Sequence, residues 1–267
     1  MTSDSALPEA ISAFTPATEE VKVNLQVRFK SEADRLLLIL PTEAEIPASA
    51  NNWSEIWQQM KQRLNAGDRF WQPYTQVELL AADRLLDGRQ LQQIADALGE
   101  VLLQMQRVRT SRRQTAVAAA MAGYCVDQQA ILTTSLATAP VAATSPLNEP
   151  LYLQMTIRSG VEIRHSGTVV VLGDINPGGI VVANGDILVW GRLRGVAHAG
   201  ANANAKCLIM ALQMEPTQLR IARYVARAPA NSPEEYYPEV AYVTPDGIRL
   251  TKAADFSKLS SQFLSQS

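Results

Sequence analysis

The sequence predicts two domains: an N-terminal small α/β sheet with packed helices, and a C-terminal all-β domain that is a short right-handed triangular parallel β-helix. Three observations predict this fold class. Between residues 21 and 108, apolar residues repeat alternately at strand and at helical spacing. A stretch rich in Thr, Ser, Ala and Pro follows at 130–150. Beyond it, glycine recurs every six residues, which is the period of a solenoid.

These patterns set the domain boundaries. We place the N-terminal domain at 21–127, a flexible linker at 128–150 and the C-terminal domain at 151–252. Residues 1–20 are polar, contain prolines and have no period, so we expect a disordered tail there. The polar residues 253–267 form a second tail. A linker of this length would let the two domains move independently.

The composition excludes several classes of function. The formal net charge of -2 argues against a dedicated nucleic-acid-binding protein, whose domains usually have a basic excess. The two cysteines, Cys125 and Cys207, fall in different domains and build no disulfide framework. With two histidines in the whole chain they also predict no zinc site, and we predict no metal and no cofactor. We expect no signal peptide and no membrane span, because no apolar stretch is long enough.

The N-terminal domain begins with a predicted β-hairpin. Every second residue is apolar between residues 21 and 29, which predicts a half-buried strand. A polar turn at 30–34 leads into an apolar run at 35–40, the second strand. Two such runs with a short connection favour a hairpin.

Helices and further strands follow the hairpin. Asn52 is a candidate N-cap with Glu55 at the capping-box spacing, and apolar residues recur at helical spacing as far as Leu64. Together these elements predict a small α/β sheet with helices packed on it. The remaining elements of the domain are predicted in this order: a strand at 76–81, a helix at 87–98, a strand at 101–108 and an alanine-rich helix at 111–126.

The C-terminal domain contains a ladder of glycines at a strict spacing of six. An apolar residue follows each glycine by two positions, so both residues keep one register. A glycine at each corner and an inward apolar residue on each short strand are typical of a parallel β-helix with three hexads per coil. A glycine-rich array of antiparallel hairpins is the alternative, but it accounts poorly for five glycines in one register. The repeating residues are Gly167, Gly173, Gly179, Gly185 and Gly191, followed by Val169, Ile175, Val181, Ile187 and Leu193.

A solenoid this short needs its open ends covered. The repeat spans about 161 to 208, or about three coils. We expect residues 213–220 to close one end. The segments 239–243 and 248–252, joined by a Thr-Pro-Asp-Gly turn, predict a hairpin that covers an exposed edge.

The C-terminal domain also contains specific motifs: Arg158-Ser159-Gly160, the glycine-rich segment 173–179 and Gly-Arg-Leu-Arg-Gly at 191–195. These motifs, with the α/β domain, the linker and the short β-helix, resemble the MinC family of inhibitors of bacterial cell division. The resemblance covers nearly everything from about 21 to 250 and is most specific in the C-terminal domain. In the N-terminal half it is mainly a resemblance of pattern.

The resemblance implies a protein without enzymatic activity that blocks misplaced septa. In this family the N-terminal domain antagonises assembly or bundling of the tubulin-like polymer protein FtsZ. The C-terminal β-helix forms a homodimer and binds the membrane-associated ATPase MinD. The resemblance therefore implies a cytoplasmic protein that reaches the inner face of the plasma membrane only indirectly, through MinD.

The resemblance also nominates a MinD site at Arg158, Ser159 and Gly160. The family motif continues with glutamine, whereas this chain has Val161, which removes one side-chain amide. An arginine beside a flexible glycine can pair with a partner carboxylate and let two backbones approach closely. The alternative is an ion pair of Arg158 within the fold and a corner glycine.

Two further pairs of residues are weaker candidates. Asp174 and Asn176 are predicted on an adjoining corner, where such residues are also common for local reasons. Many family members have a glycine in the turn of the first hairpin, where this chain has a polar stretch that begins with Lys30 and Ser31. We nominate these two residues for FtsZ.

Two other functions are compatible with a hexad repeat. Acyltransferases of this architecture use a histidine base, and His165 and His198 are available in the right domain. Against this, the solenoid is short, no loop extends to cover a pantetheine arm, and the N-terminal domain has no role. A polymer-forming β-helix scaffold is the second alternative, but its solenoid would be longer.

Overall fold

A computed structural model of the 267-residue chain describes residues 26–32, 35–42, 52–67, 71–129, 148–227 and 235–256. Most of the regular structure in these ranges is β-sheet, with three helices. The predicted N-terminal tail and most of the predicted linker lie outside the described residues. No helix in the described part of the chain is long and apolar enough to cross a membrane.

The N-terminal half is a sheet covered by helices. Strands β1 and β2 pair antiparallel, while β2, β3, β4 and β5 pair parallel to one another in that order. Apolar side chains of strands and helices form its core, among them the fully buried Leu38, Ile56 and Leu79. The elements are β1 Arg28–Glu32, β2 Arg35–Ile39, α1 Asn52–Gly67, β3 Gln76–Ala82, α2 Gly88–Glu100, β4 Gln104–Thr110, α3 Arg113–Met121 and β5 Cys125–Gln128.

The predicted hairpin is confirmed, but its turn is shorter than expected. Glu32 pairs with Arg35, so residues predicted as the turn belong to β1. The predicted strand residues 21–25 lie outside the described part of the chain.

The predicted helix at 111–126 is wrong in its last third. Helix α3 ends at Met121, and Gly123 has a φ of 88°, a left-handed conformation that ends helices and favours glycine. The chain then continues as β5, a strand that was not predicted because the alanine-rich pattern favoured a longer helix. Helix α2 begins as predicted, with Asp87 and Gln90 forming a reciprocal capping box.

The C-terminal half consists of strands that alternate between two parallel ladders. One ladder contains β6, β8, β10 and β12, and the other contains β7, β9, β11 and β13. The strands are β6 Asn148–Leu153, β7 Glu162–His165, β8 Gly167–Val171, β9 Ile180–Ala183, β10 Ile187–Leu193, β11 Val196–Ala199, β12 Ile209–Met214 and β13 Gln218–Ile221.

The ladders repeat with the period that the glycines predict. Ile187 pairs with Val169, eighteen residues earlier, which corresponds to three hexads. A third row consists of single parallel bridges that join Ile157, Ile175 and Leu193 at the same eighteen-residue spacing. All five side chains are fully buried, so the repeating apolar position forms the core of this half.

The edges of the ladders are covered by antiparallel strands. Strand β15 Glu239–Thr244 forms a hairpin with β16 Gly247–Lys252 and pairs with β12. The prediction of a hairpin that covers an exposed edge is therefore confirmed. Strand β14 Tyr224–Ala226 similarly pairs with β13 at the end of the other ladder.

The two halves share one ten-stranded sheet. Strand β5 pairs with β4 on one side and with β7 on the other, both in parallel. The predicted boundary near residue 127 falls within β5, and the domain boundaries stay a prediction. Independent movement of the halves would require the pairing of β5 with β7 to break.

Candidate functional site

Each residue of the third row of bridges is directly followed by a polar residue. Arg158, Asn176 and Arg194 directly follow the bridged residues and are eighteen residues apart. Because parallel bridges join Ile157 to Ile175 and Ile175 to Leu193, the residues that follow them occupy equivalent positions in neighbouring chain segments. We call Arg158, Ser159, Gly160, Asp174, Asn176, Arg192 and Arg194 the corner surface.

A tight turn presents the start of the corner surface. Gly160 has a φ of 81° and its N–H donates to the carbonyl of Gly178 at 2.9 Å, while the N–H of Val161 donates to the carbonyl of Arg158 at 3.2 Å. Only glycine adopts this conformation without strain. The side chain of Ser159 packs against Gly178, where an added Cβ would overlap its hydroxyl. The turn thus holds three exposed residues, 158–160, in one place.

Arg158 is exposed and forms no ion pair or hydrogen bond through its side chain with any residue in the described ranges. Within those ranges, the alternative of an ion pair inside the fold is therefore not realised. An exposed guanidinium without a partner retains all five of its donors. It can form charge-assisted bonds to a carboxylate from another molecule.

Asp174 and Asn176 organise two arginines that the sequence analysis did not nominate. The carboxylate of Asp174 accepts the backbone N–H of Arg192 at 2.8 Å and lies 3.6 Å from the guanidinium of Arg194. The amide oxygen of Asn176 accepts a hydrogen bond from Arg194 at 2.6 Å. The eighteen-residue spacing to Asp174 and Asn176 was the signal that could have found both arginines. With three arginines and one aspartate, the corner surface is positively charged.

Lys30 and Ser31, predicted to face FtsZ, lie far from the corner surface along the sheet. They belong to β1, the strand at one end of the ten-stranded sheet, so one edge of β1 has no strand partner among the described residues. Lys30 is exposed and forms an ion pair with Glu32 at 2.7 Å. The hydrogen bond and charge of Lys30 lower the pKa of the Glu32 carboxyl.

Each of the two histidines forms a hydrogen bond with a backbone carbonyl oxygen. His165 is 4% exposed and its Nε2 lies 3.0 Å from the carbonyl oxygen of Glu149, while Nε2 of His198 lies 3.1 Å from that of Ala222. Burial lowers the pKa of both imidazoles, so both are neutral at pH 7 and donate through Nε2. In the described ranges, no group of three or more His, Cys, Asp and Glu side chains could hold a metal ion.

An apolar face lies on the outside of the β6–β8–β10–β12 ladder. Tyr152, Leu172 and Trp190 are large side chains with 40%, 40% and 66% of their surface exposed. Tyr152, Val170 and Leu188 are paired across successive strands, so the side chains form a contiguous row. Contiguous exposed apolar surface marks an interaction site in soluble proteins. We call the following six residues the apolar face: Tyr152, Val170, Leu172, Leu188, Trp190 and Met210.

Comparison with known proteins shows the family. The model of the family "Septum formation inhibitor MinC, C-terminal domain" matches residues 151–253. A probable septum site-determining protein MinC from Gloeobacter violaceus is 47% identical over 251 residues, which cover 93% of this chain and 87% of that protein. The chain belongs to the MinC family. Both the corner surface and the apolar face lie within the MinC family match.

Other members of the MinC family are similar over most of this chain. A probable septum site-determining protein MinC from Nostoc is 62% identical over 239 residues, 90% of this chain. This chain spans 65% of the length of that relative. Among solved structures, the MinC:MinD cell division protein complex of Aquifex aeolicus matches with a TM-score of 0.39 and 34% identity, over 45% of this chain and 99% of that one.

Proposed function

We propose that this MinC-family protein inhibits cell division at wrong sites by antagonising FtsZ polymer assembly or bundling, and that MinD recruits it to the inner face of the plasma membrane. The septum-site-determining relatives support the process. The observation that best supports recruitment by MinD is the positively charged corner surface, in which Arg158 has no side-chain partner among the described residues. Exposed arginines of this kind can form charge-assisted hydrogen bonds to carboxylates of a partner protein.

We further infer that the C-terminal half is the predicted right-handed triangular β-helix. The alternation of strands between two parallel ladders supports this interpretation, as does the third row of bridges at Ile157, Ile175 and Leu193. Three rows correspond to three sides of a triangular coil. A β-helix keeps the corner and the flat sides rigid, which suits a surface that must fit a partner.

MinD is proposed to bind at the corner surface. Arg158 has no side-chain partner among the described residues, and Arg194 donates a hydrogen bond to the amide oxygen of Asn176. An acidic patch on MinD would meet three arginines and one carboxylate, so association would be steered by charge and weakened by salt. The exposed turn at Gly160 lets a partner backbone approach without a side chain in the way.

The apolar face supports the proposed homodimer. In a two-fold dimer this face would pack against its own copy, which would remove large apolar side chains from water. A dimer would also present two N-terminal halves to one FtsZ filament. The second contact then gains effective concentration, which lets a weak single contact act strongly.

Placing a charge in the apolar face should break this dimer. Trp190→Glu would bury a carboxylate without a partner, and central tryptophans at interfaces typically contribute about 2–4 kcal/mol. We expect sedimentation equilibrium to report monomers at concentrations where the unaltered chain is dimeric. Tyr74→Glu is a matched control, since Tyr74 is also 66% exposed but lies in the N-terminal half. A dimer that survives Trp190→Glu would show that another surface mediates assembly.

Sedimentation of FtsZ polymers tests the proposed function directly. We expect the purified chain to reduce pelleted FtsZ, or to remove its bundles, more strongly when MinD, ATP and lipid vesicles are present. The chain itself should appear on the vesicles only with both MinD and ATP. Unchanged FtsZ pellets and no recruitment by MinD would overturn the proposal.

A further inference from the structure

Strand β5 belongs to the sheets of both halves. Its Val126 is fully buried and pairs with Val108 of the N-terminal half on one side and Ile163 of the C-terminal half on the other. Without β5, strand β7 would be an edge of its ladder, with unpaired backbone groups. The N-terminal half therefore completes the ladder on which the corner surface is built.

The first residue of β5 contacts the turn of the corner surface. The Cys125 thiol lies 3.5 Å from the carbonyl oxygen of Gly160, and the backbone N–H of Glu162 points at the same sulfur at 3.3 Å. Cys125 is buried. The N–H of Gly160 donates to the adjacent coil, while its carbonyl faces β5. The turn is consequently fixed from two sides, one in each half of the chain.

An ion pair strengthens the same junction. A guanidinium nitrogen of Arg107, on β4, lies 2.7 Å from the carboxylate of Glu162, on β7, and both side chains are largely buried. Arg164 holds the other carboxylate oxygen of Glu162 at 2.6 Å. Burial raises the pKa of Glu162, but the hydrogen bond from Arg107 and the charge of Arg164 more than offset it, so the pKa is lowered. Removing Arg107 would leave Glu162 paired with Arg164 alone, and the ion pair between the two halves would be lost.

We propose that the N-terminal half, through Cys125 of β5 and the Arg107–Glu162 ion pair between β4 and β7, positions the Arg158–Gly160 turn and so contributes to MinD binding without touching MinD. This inference rests on the proposed recruitment by MinD. Arg107 and Cys125 are positioning residues in this scheme. Because coupling between two sites is reciprocal, bound MinD also stabilises the attachment of the N-terminal half.

The test measures binding of full-length variants to MinD with ATP. We expect Arg107→Ala and Cys125→Ala each to raise the dissociation constant about fivefold or more, the lower end of typical coupling between sites. Arg35→Ala is the matched control for the first variant, because it removes an ion pair with Glu78 in the same sheet. Arg35 lies on β2, which is separated from β7 by three strands. Cys207→Ala is the control for the second, since Cys207 is also buried but contacts Asn184 instead. Both controls should bind like the unaltered chain.

Two further measurements separate positioning from general damage. Arg107→Lys keeps the charge and should recover most of the affinity. Hydrogen exchange of the full chain should show faster exchange of the Glu162 amide in Cys125→Ala and unchanged exchange in Cys207→Ala. If near-ultraviolet circular dichroism shows that Arg107→Ala does not fold, the comparison of Cys125→Ala with Cys207→Ala tests the proposal by itself.

The outcomes distinguish this inference from the function on which it rests. If the unaltered chain binds MinD and both variants bind equally well, the positioning role of the N-terminal half is wrong while recruitment by MinD stands. If the unaltered chain does not bind MinD at all, the proposed recruitment is wrong and this inference fails with it.

Discussion

Arg158→Ala is expected to abolish detectable binding of MinD while the homodimer stays intact. The side chain is exposed and unpaired within the described ranges, so its loss should leave the fold unchanged. Its expected role is a charge-assisted bond to MinD, and removing one partner of such a buried interfacial pair costs about 2–5 kcal/mol. Arg192 and Arg194 cannot replace it, because both are already directed by Asp174 and Asn176.

Co-sedimentation with vesicles, MinD and ATP measures this effect, and sedimentation equilibrium measures the dimer. Arg249→Ala is a suitable control, because Arg249 is an exposed arginine of the same half that pairs locally with Asp246. Normal co-sedimentation of Arg158→Ala would show that the assigned site is wrong. A monomeric Arg158→Ala variant would show instead that the turn contributes to the dimer.

Gly195→Ala is expected to destabilise the C-terminal half by about 3 kcal/mol, within the range of substitutions that overfill a packed site. Gly195 is buried and its N–H donates to the carbonyl of Ile175 at 3.0 Å. An added Cβ would overlap the carbonyl oxygen of Gly179 and lie 2.6 Å from that of Asn176. Both obstacles are backbone atoms, which cannot move aside as the end of a flexible side chain could.

Gly99→Ala is the matched control for this substitution. Gly99 lies in α2, and an added Cβ there would meet nothing within 4 Å. Alanine in a helix is favoured over glycine by about 0.5–1 kcal/mol, so this variant should be more stable. Urea denaturation followed by circular dichroism should thus shift in opposite directions for the two variants. Equal shifts would mean that close backbone approach does not explain the glycine at position 195.

The sequence predicted the C-terminal ladders well because their physical cause is periodic. A buried apolar residue and a glycine recur at fixed intervals in the sequence itself. The spacing alone therefore assigns Ile175 and Ile187 to the core, where both are fully buried. The covering hairpin was equally visible, since its turn contains Thr-Pro-Asp-Gly.

Strand β5 could not be predicted in this way. It has four residues, Cys-Val-Asp-Gln, and all four are buried, so it shows no alternation of apolar and polar residues. The alanine-rich pattern before it led to a predicted helix that included β5, although Gly123 indicated where that helix ends. Pairing of β5 with β7 also depends on residues more than thirty positions apart, which no local pattern encodes.

The candidate site was predicted only in part. The motif at Arg158–Gly160 came from the resemblance to the MinC family, and residues 174 and 176 from their place near a corner. Arg192 and Arg194 were missed because their partners, Asp174 and Asn176, lie eighteen residues earlier in the chain. The contact of Cys125 with Gly160 could not be predicted either, because it joins residues of the two halves that are far apart in the sequence.

The sharing of β5 has a consequence for the order in which the protein folds during synthesis. A ladder of short strands is stabilised by contacts between neighbours, so its first strand has the least to pair with. The N-terminal half leaves the ribosome first and can complete its own core before the ladder is made. The free side of β5 can then pair with β7, and each later strand of that ladder pairs with the one before it. The α/β half would thus act as the nucleus on which the glycine ladder grows.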